Sequence, residues 1–240
     1  MNYLYYVVLG VLPSFIWLLY FLRKDVHPES NRMVLRIFLY GMLATLPAIL
    51  LEWGANDFIS ALFKESFLGQ ILYYFIGVAF IEEFLKYLVV RSKVLSHPEL
   101  DEPTDVILYM IIAALGFAAF ENILCLIRYR IFEEILFASS FRFFGAIFLH
   151  ALCSGTLGYF LALSFHRPKD KLKLLTIGFG LITFLHGIFN YSIMKIDPLR
   201  IEETWIFIFL PAVIIIGLAI FVSLGFKRLK KIKSVCKIYP

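Results

Sequence analysis

Residues 70–90, QILYYFIGVAFIEEFLKYLVV, form an apolar run long enough to cross a bilayer as a helix, yet Glu82, Glu83 and Lys86 stand inside it. A charged side chain at bilayer depth costs about 2.5–3.5 kcal/mol on insertion scales, so such groups face a bundle interior, a partner or a water-filled cavity. The run also decides the fold class. Backbone groups in lipid must be satisfied internally, and a continuous apolar run argues for a helix, because the strands of a barrel would alternate in character.

Working outward, similar runs lie near 4–22, 33–51, 105–127, 143–165, 174–194 and 205–226, with 69–90 as the third of seven. The reading is therefore all-α, a polytopic membrane bundle of about seven transmembrane helices. Of 240 residues 61% are hydrophobic, well above the roughly half of soluble domains. Residues 1–240 read as one integral membrane domain in the cell membrane, with no soluble domain and no internal repeat. The opening MNYLYYVVLGVLPSF lacks a basic n-region and an A-x-A site, which predicts a retained first helix. Lys and Arg divide sixteen to six between alternate connections, leaving Lys86 aside, which predicts an outside N-terminus and a cytoplasmic C-terminus.

The net charge of +5 reflects this asymmetry and a basic tail over 227–240. That tail suits anionic lipid and gives no reason to expect nucleic acid. Cys125, Cys153 and Cys236 supply neither a disulfide framework nor a CxxC motif. The connection RSKVLSHPELDEPT, 91–104, contains Pro98 and Pro103 and is predicted to be an exposed loop. EWGANDFISALFKES, 52–66, and RYRIFEEILFASSFR, 128–142, mix charges with apolar residues at helical spacing, as short helices on the membrane surface would.

On a helix Lys86 reaches either Glu82 or Glu83, but one ammonium cannot neutralise two carboxylates; the second is a candidate general base. GFAAFENILCLI places Glu121 and Asn122 inside another span, and FGAIFLHALCSGTLGYF does the same for His150. In GLITFLHGIFNYSI, His186 and Asn190 are four apart and share a face. At about 1.5 Å per residue Glu121, His150, His186 and Asn190 fall about 6–12 Å below the outer boundary, with Glu82 about 20 Å deep. Polar groups on four spans suit hydrolysis: a carboxylate takes a proton from water, an imidazole assists, and His186 with Asn190 donates to an oxyanion. Glu83, His150 and His186 could instead hold zinc, although HExxH is absent. A proton-coupled transporter or a non-catalytic membrane chaperone would use similar residues.

EExxK at Glu82, Glu83 and Lys86, FxxxEN at Phe117, Glu121 and Asn122, FLHALCSGTLGY around His150 and HxxxN at His186 and Asn190 occur in that order on successive helices. Together they resemble the PrsW family of intramembrane proteases over roughly 70–195, the expected protease-like core. More distantly they are similar to the CAAX-prenyl endopeptidases, whose EExxxR and FxxxH differ here at Lys86 and Glu121. The resemblance implies cleavage of a single-span, membrane-anchored protein, in PrsW-like cases an anti-sigma factor. It implies either a zinc site or a glutamate-activated water that requires no cofactor. It also implies Glu82 or Glu83 as base, His150 as its partner, His186 and Asn190 as transition-state donors, Glu121 in the same site, and Lys86 orienting the carboxylates.

Overall fold

The computed structural model describes residues 3–24, 27–64, 66–196 and 201–232. Its helices are α1 (Leu4–Leu22), α2 (Asn31–Phe63), α3 (Phe67–Leu72), a π-helical segment (Tyr73–Phe80), α4 (Ile81–Lys93), α5 (Pro103–Leu126), α6 (Phe132–Phe144), α7 (Ala146–His166), a 3₁₀ turn (Pro168–Asp170), α8 (Lys171–Lys195) and α9 (Ile201–Leu229). Among the described residues there is no strand, and seven helical stretches are long and apolar enough to cross a membrane. Arg200, Lys233, Cys236 and Lys237 lie outside the described residues. Cys125 and Cys153 are free thiols.

α5 is the axis of the bundle. It is buried almost all round from Pro103 to Ala119, with α1, α2 and α7 packed about it. Such a helix needs no amphipathic pattern, because every face meets protein. α5 starts at Pro103, where the missing N–H costs nothing, and Asp105 accepts from the backbone N–H groups of Glu102 (2.7 Å) and Asp101 (3.1 Å).

Close approach of α2 and α5 rests on Gly41 and Gly116, as small residues permit in lipid. A methyl carbon on Gly116 would sit 2.0 Å from the Phe38 carbonyl oxygen, and one on Gly41 would sit 2.1 Å from that of Ala113. Gly116→Ala is therefore expected to lower stability by about 1–3 kcal/mol, the usual cost of overpacking. Gly180→Ala, which meets nothing within 4 Å, is the control for a thermal melt in detergent.

Two connections differ from the sequence expectation. Residues 52–63 are no separate surface helix but the end of α2, whose 33 residues run about 50 Å, well beyond the hydrocarbon thickness. Ala55 and Ile59 of this extension face Gly77 of the π-helical segment, so the extension has a partner to pack on. The second difference is α6, which packs lengthwise along α1. Ile135 clusters with Tyr6, Ser139 Oγ donates to the Leu9 carbonyl (2.7 Å), and Trp17 Nε1 donates to that of Phe143 (2.8 Å). α6 and α7 thus form one apolar helical stretch over 132–166, interrupted at Gly145, where the sequence reading began the span at 143.

Candidate active site

Glu82 and Glu83 open α4 directly after the π-helical segment, and Lys86 follows one turn later. π-turns are rare and recur at functional sites. The Lys86 ammonium donates to Glu82 Oε2 (3.1 Å), to Glu83 Oε1 (2.8 Å) and to His150 Nδ1 (2.7 Å), and its nitrogen lies 4.4 Å from the centre of the Phe117 ring. All three ammonium protons thus have acceptors, which is how a fully buried lysine is tolerated.

These bonds determine the histidine tautomers. Because His150 Nδ1 accepts from Lys86, its Nε2–H donates to Glu121 Oε2, 2.8 Å away. His186 lies edge-on to His150 with ring centres 5.1 Å apart, and its Nδ1–H donates to Glu83 Oε1 at 3.1 Å. His186 Nε2 stands 3.9 Å from Glu82 Oε2. A carboxylate bonded to one ring nitrogen orients the other for proton transfer.

Glu83 and Glu82 now separate. Both Glu83 oxygens are engaged, since Ser154 Oγ donates to Oε2 (2.8 Å), and the side chain is fully buried. Glu82 keeps 7% side-chain exposure, and its Oε1 accepts no hydrogen bond from the described residues. Asn190 lies one turn from His186 and is half-buried, and its side chain hydrogen-bonds to none of the described residues. It shares the face but stands outside the hydrogen-bonded cluster.

Asn122 and Arg142 brace the side of the site next to α1. Asn122 Nδ2 donates to the carbonyls of Leu9 (3.2 Å) and Gly10 (3.1 Å), and its Oδ1 accepts from Arg142 Nε (2.7 Å). Arg142 Nη2 stands 3.0 Å from Glu121 Oε1, an ion pair without hydrogen-bond alignment. α6 carries Arg142, the last residue of the 128–142 connection, into the site.

Ser154 and Glu52 were also missed. Ser154 lies one turn after His150 on the same face, a spacing that could have revealed it. Glu52 had been assigned to a surface helix. On continuous α2 it stands between Ala48, which packs on Phe117, and Ala55, which faces Gly77, within electrostatic range of Glu121, Glu82 and Lys86. Glu52, Glu82, Glu83 and Glu121 therefore outnumber the cations Lys86 and Arg142 by two, leaving carboxylates free to exchange a proton.

Glu82, Glu83, His150 and His186 each offer a donor atom, and these atoms lie within 4.8 Å of one another. In kind they would suit zinc. Three of the four also accept hydrogen bonds from Lys86, so the lysine and an ion would compete for the same donor groups.

A family model described as PrsW family intramembrane metalloprotease matches residues 29–226. The chain belongs to the PrsW family. It is accordingly a multi-pass membrane protease, as the four motifs implied. Protease PrsW of Geobacillus kaustophilus is 32% identical over 199 residues, covering 82% of this chain and 80% of the relative. The Bacillus subtilis protein of that name is 28% identical over 229 residues, 94% of each chain, and that of Clostridioides difficile is 26% identical over 216, 87% of this chain and 85% of the relative. No solved structure matches it. All the PrsW-like motif residues quoted from the sequence, from Glu82 to Asn190, fall within the matched region.

Proposed function

We propose that this PrsW family protease hydrolyses a peptide bond in a single-span, membrane-anchored protein with water activated by Glu82. The observation that carries this reading is the asymmetry of the glutamates: Glu83 is saturated by Lys86, His186 and Ser154, whereas Glu82 keeps an oxygen for water. Glu82 takes one proton as the water oxygen attacks the carbonyl carbon, and that proton passes to the departing amine when the C–N bond breaks. His186 Nε2 faces the same volume and orients the water. The amide of Asn190, which bonds to no side chain of the described residues, donates to the oxyanion one turn away. His150 and Glu121 hold Lys86 and Arg142 in register.

The proposed route uses no metal, a reading supported by the bonds that Lys86 makes to Glu82, Glu83 and His150. An anti-sigma factor with one membrane span is the first substrate to assay in proteoliposomes. Wild-type protein is expected to cut it within or next to the span, and His186→Ala to lose about 10²-fold or more in rate. Cleavage is also expected to survive exhaustive treatment with EDTA and 1,10-phenanthroline. Loss of activity that zinc restores would overturn the metal-free reading. Ion flux dependent on Glu82 without any cleavage would overturn the substrate reading as well.

A further inference from the structure

On the side of α7 away from the glutamates, a crevice of about 220 Å³ opens between α1, α7 and α9. Phe148, Leu152 and Phe226 line its apolar part, and Lys24, Lys227 and Lys230 stand at the end where α1 and α9 finish. The lysines are exposed, and none pairs with a carboxylate of the described residues. Lys230 Nζ donates to the Lys24 carbonyl (2.7 Å), which draws α9 to α1, and Lys24 Nζ stands 4.7 Å from the centre of the Tyr20 ring. Three cations gathered within reach of one another repel, and their anion is not supplied by the described protein. An apolar slot ending in clustered lysines is complementary to a molecule with an anionic head and a hydrocarbon chain.

We propose that this crevice is a site for an anionic phospholipid, its phosphate among Lys24, Lys227 and Lys230 and one acyl chain along Phe148, Leu152 and Phe226. Trp17 reports on it, because its ring stacks on Phe148 with centres 3.9 Å apart. With Trp53 and Trp205 replaced by Phe, Trp17 is the sole tryptophan. The full chain is then titrated in mixed micelles with phosphatidylglycerol or phosphatidylcholine brominated on the acyl chain. Each lysine near an anionic headgroup is worth roughly fivefold, so phosphatidylglycerol is expected to quench at a mole fraction at least about tenfold lower. Lys24→Gln, Lys227→Gln and Lys230→Gln together should bring the two lipids within about twofold. Ala219→Phe, which fills the slot and keeps the lysines, should weaken quenching by both.

Equal quenching of the wild-type protein by the two lipids overturns the proposal whether or not the variants fold. So does a preference that survives the triple lysine replacement. Inorganic phosphate in excess is expected to leave the quenching in place; its abolition would mean that the lysines take a soluble anion and no lipid.

Discussion

Glu82→Gln lowers the rate of peptide cleavage by about 10²–10⁴-fold, the size of a general-base contribution, while the protein stays folded and still captures substrate. The substitution is nearly isosteric. A glutamine oxygen can still accept from Lys86, and Lys86 keeps Glu83 and His150 as acceptors. What is lost is the ability to take a proton from water. Glu83→Gln behaves differently, because its amide would confront donors on Lys86, His186 and Ser154 and would free the His186 tautomer. That variant is expected to lose activity and thermal stability together. Cleavage of a single-span substrate in proteoliposomes, paired with melts in detergent, distinguishes the two. If Glu82→Gln remained active and Glu83→Gln were inactive yet equally stable, the assigned base would be the wrong glutamate.

Lys86→Met has the largest expected effect on stability, a loss of about 3–5 kcal/mol, as for other buried charge pairs broken from one side. Methionine fills much of the same volume, so packing is largely kept. Glu82 and Glu83 are left buried without their shared cation, and His150 Nδ1 loses its donor. Denaturant titration in detergent measures the loss. Adding Glu83→Gln to Lys86→Met removes one uncompensated charge, so the double variant should recover part of it. Additive losses would show that the ion pair is not what Lys86 contributes.

Much of this protein was legible without coordinates. Apolar runs of about twenty residues report on lipid directly, because the bilayer demands internal hydrogen bonding and a minimum length. Spacing on one helix was equally readable: Lys86 does bridge Glu82 and Glu83, since residues three and four apart share a face whatever surrounds them. Span boundaries were less so. The fifth stretch opens at 132 and not near 143, because amphipathic α6 leads into α7, and charges at helical spacing look alike on a membrane surface and along a neighbouring helix. The same ambiguity hid Glu52 and Arg142.

Residue order alone carried the helical membrane fold, the ion triad on α4 and, through four ordered motifs, the protease family. Which groups meet came from the packing of the helices: His150 on Lys86 and Glu121, His186 and Ser154 on Glu83, and Asn190 apart from them. Local periodicity is a property of one helix, but the partner of a buried polar atom is chosen by how helices cross. That choice leaves Glu82 with an oxygen to spare and Glu83 with none.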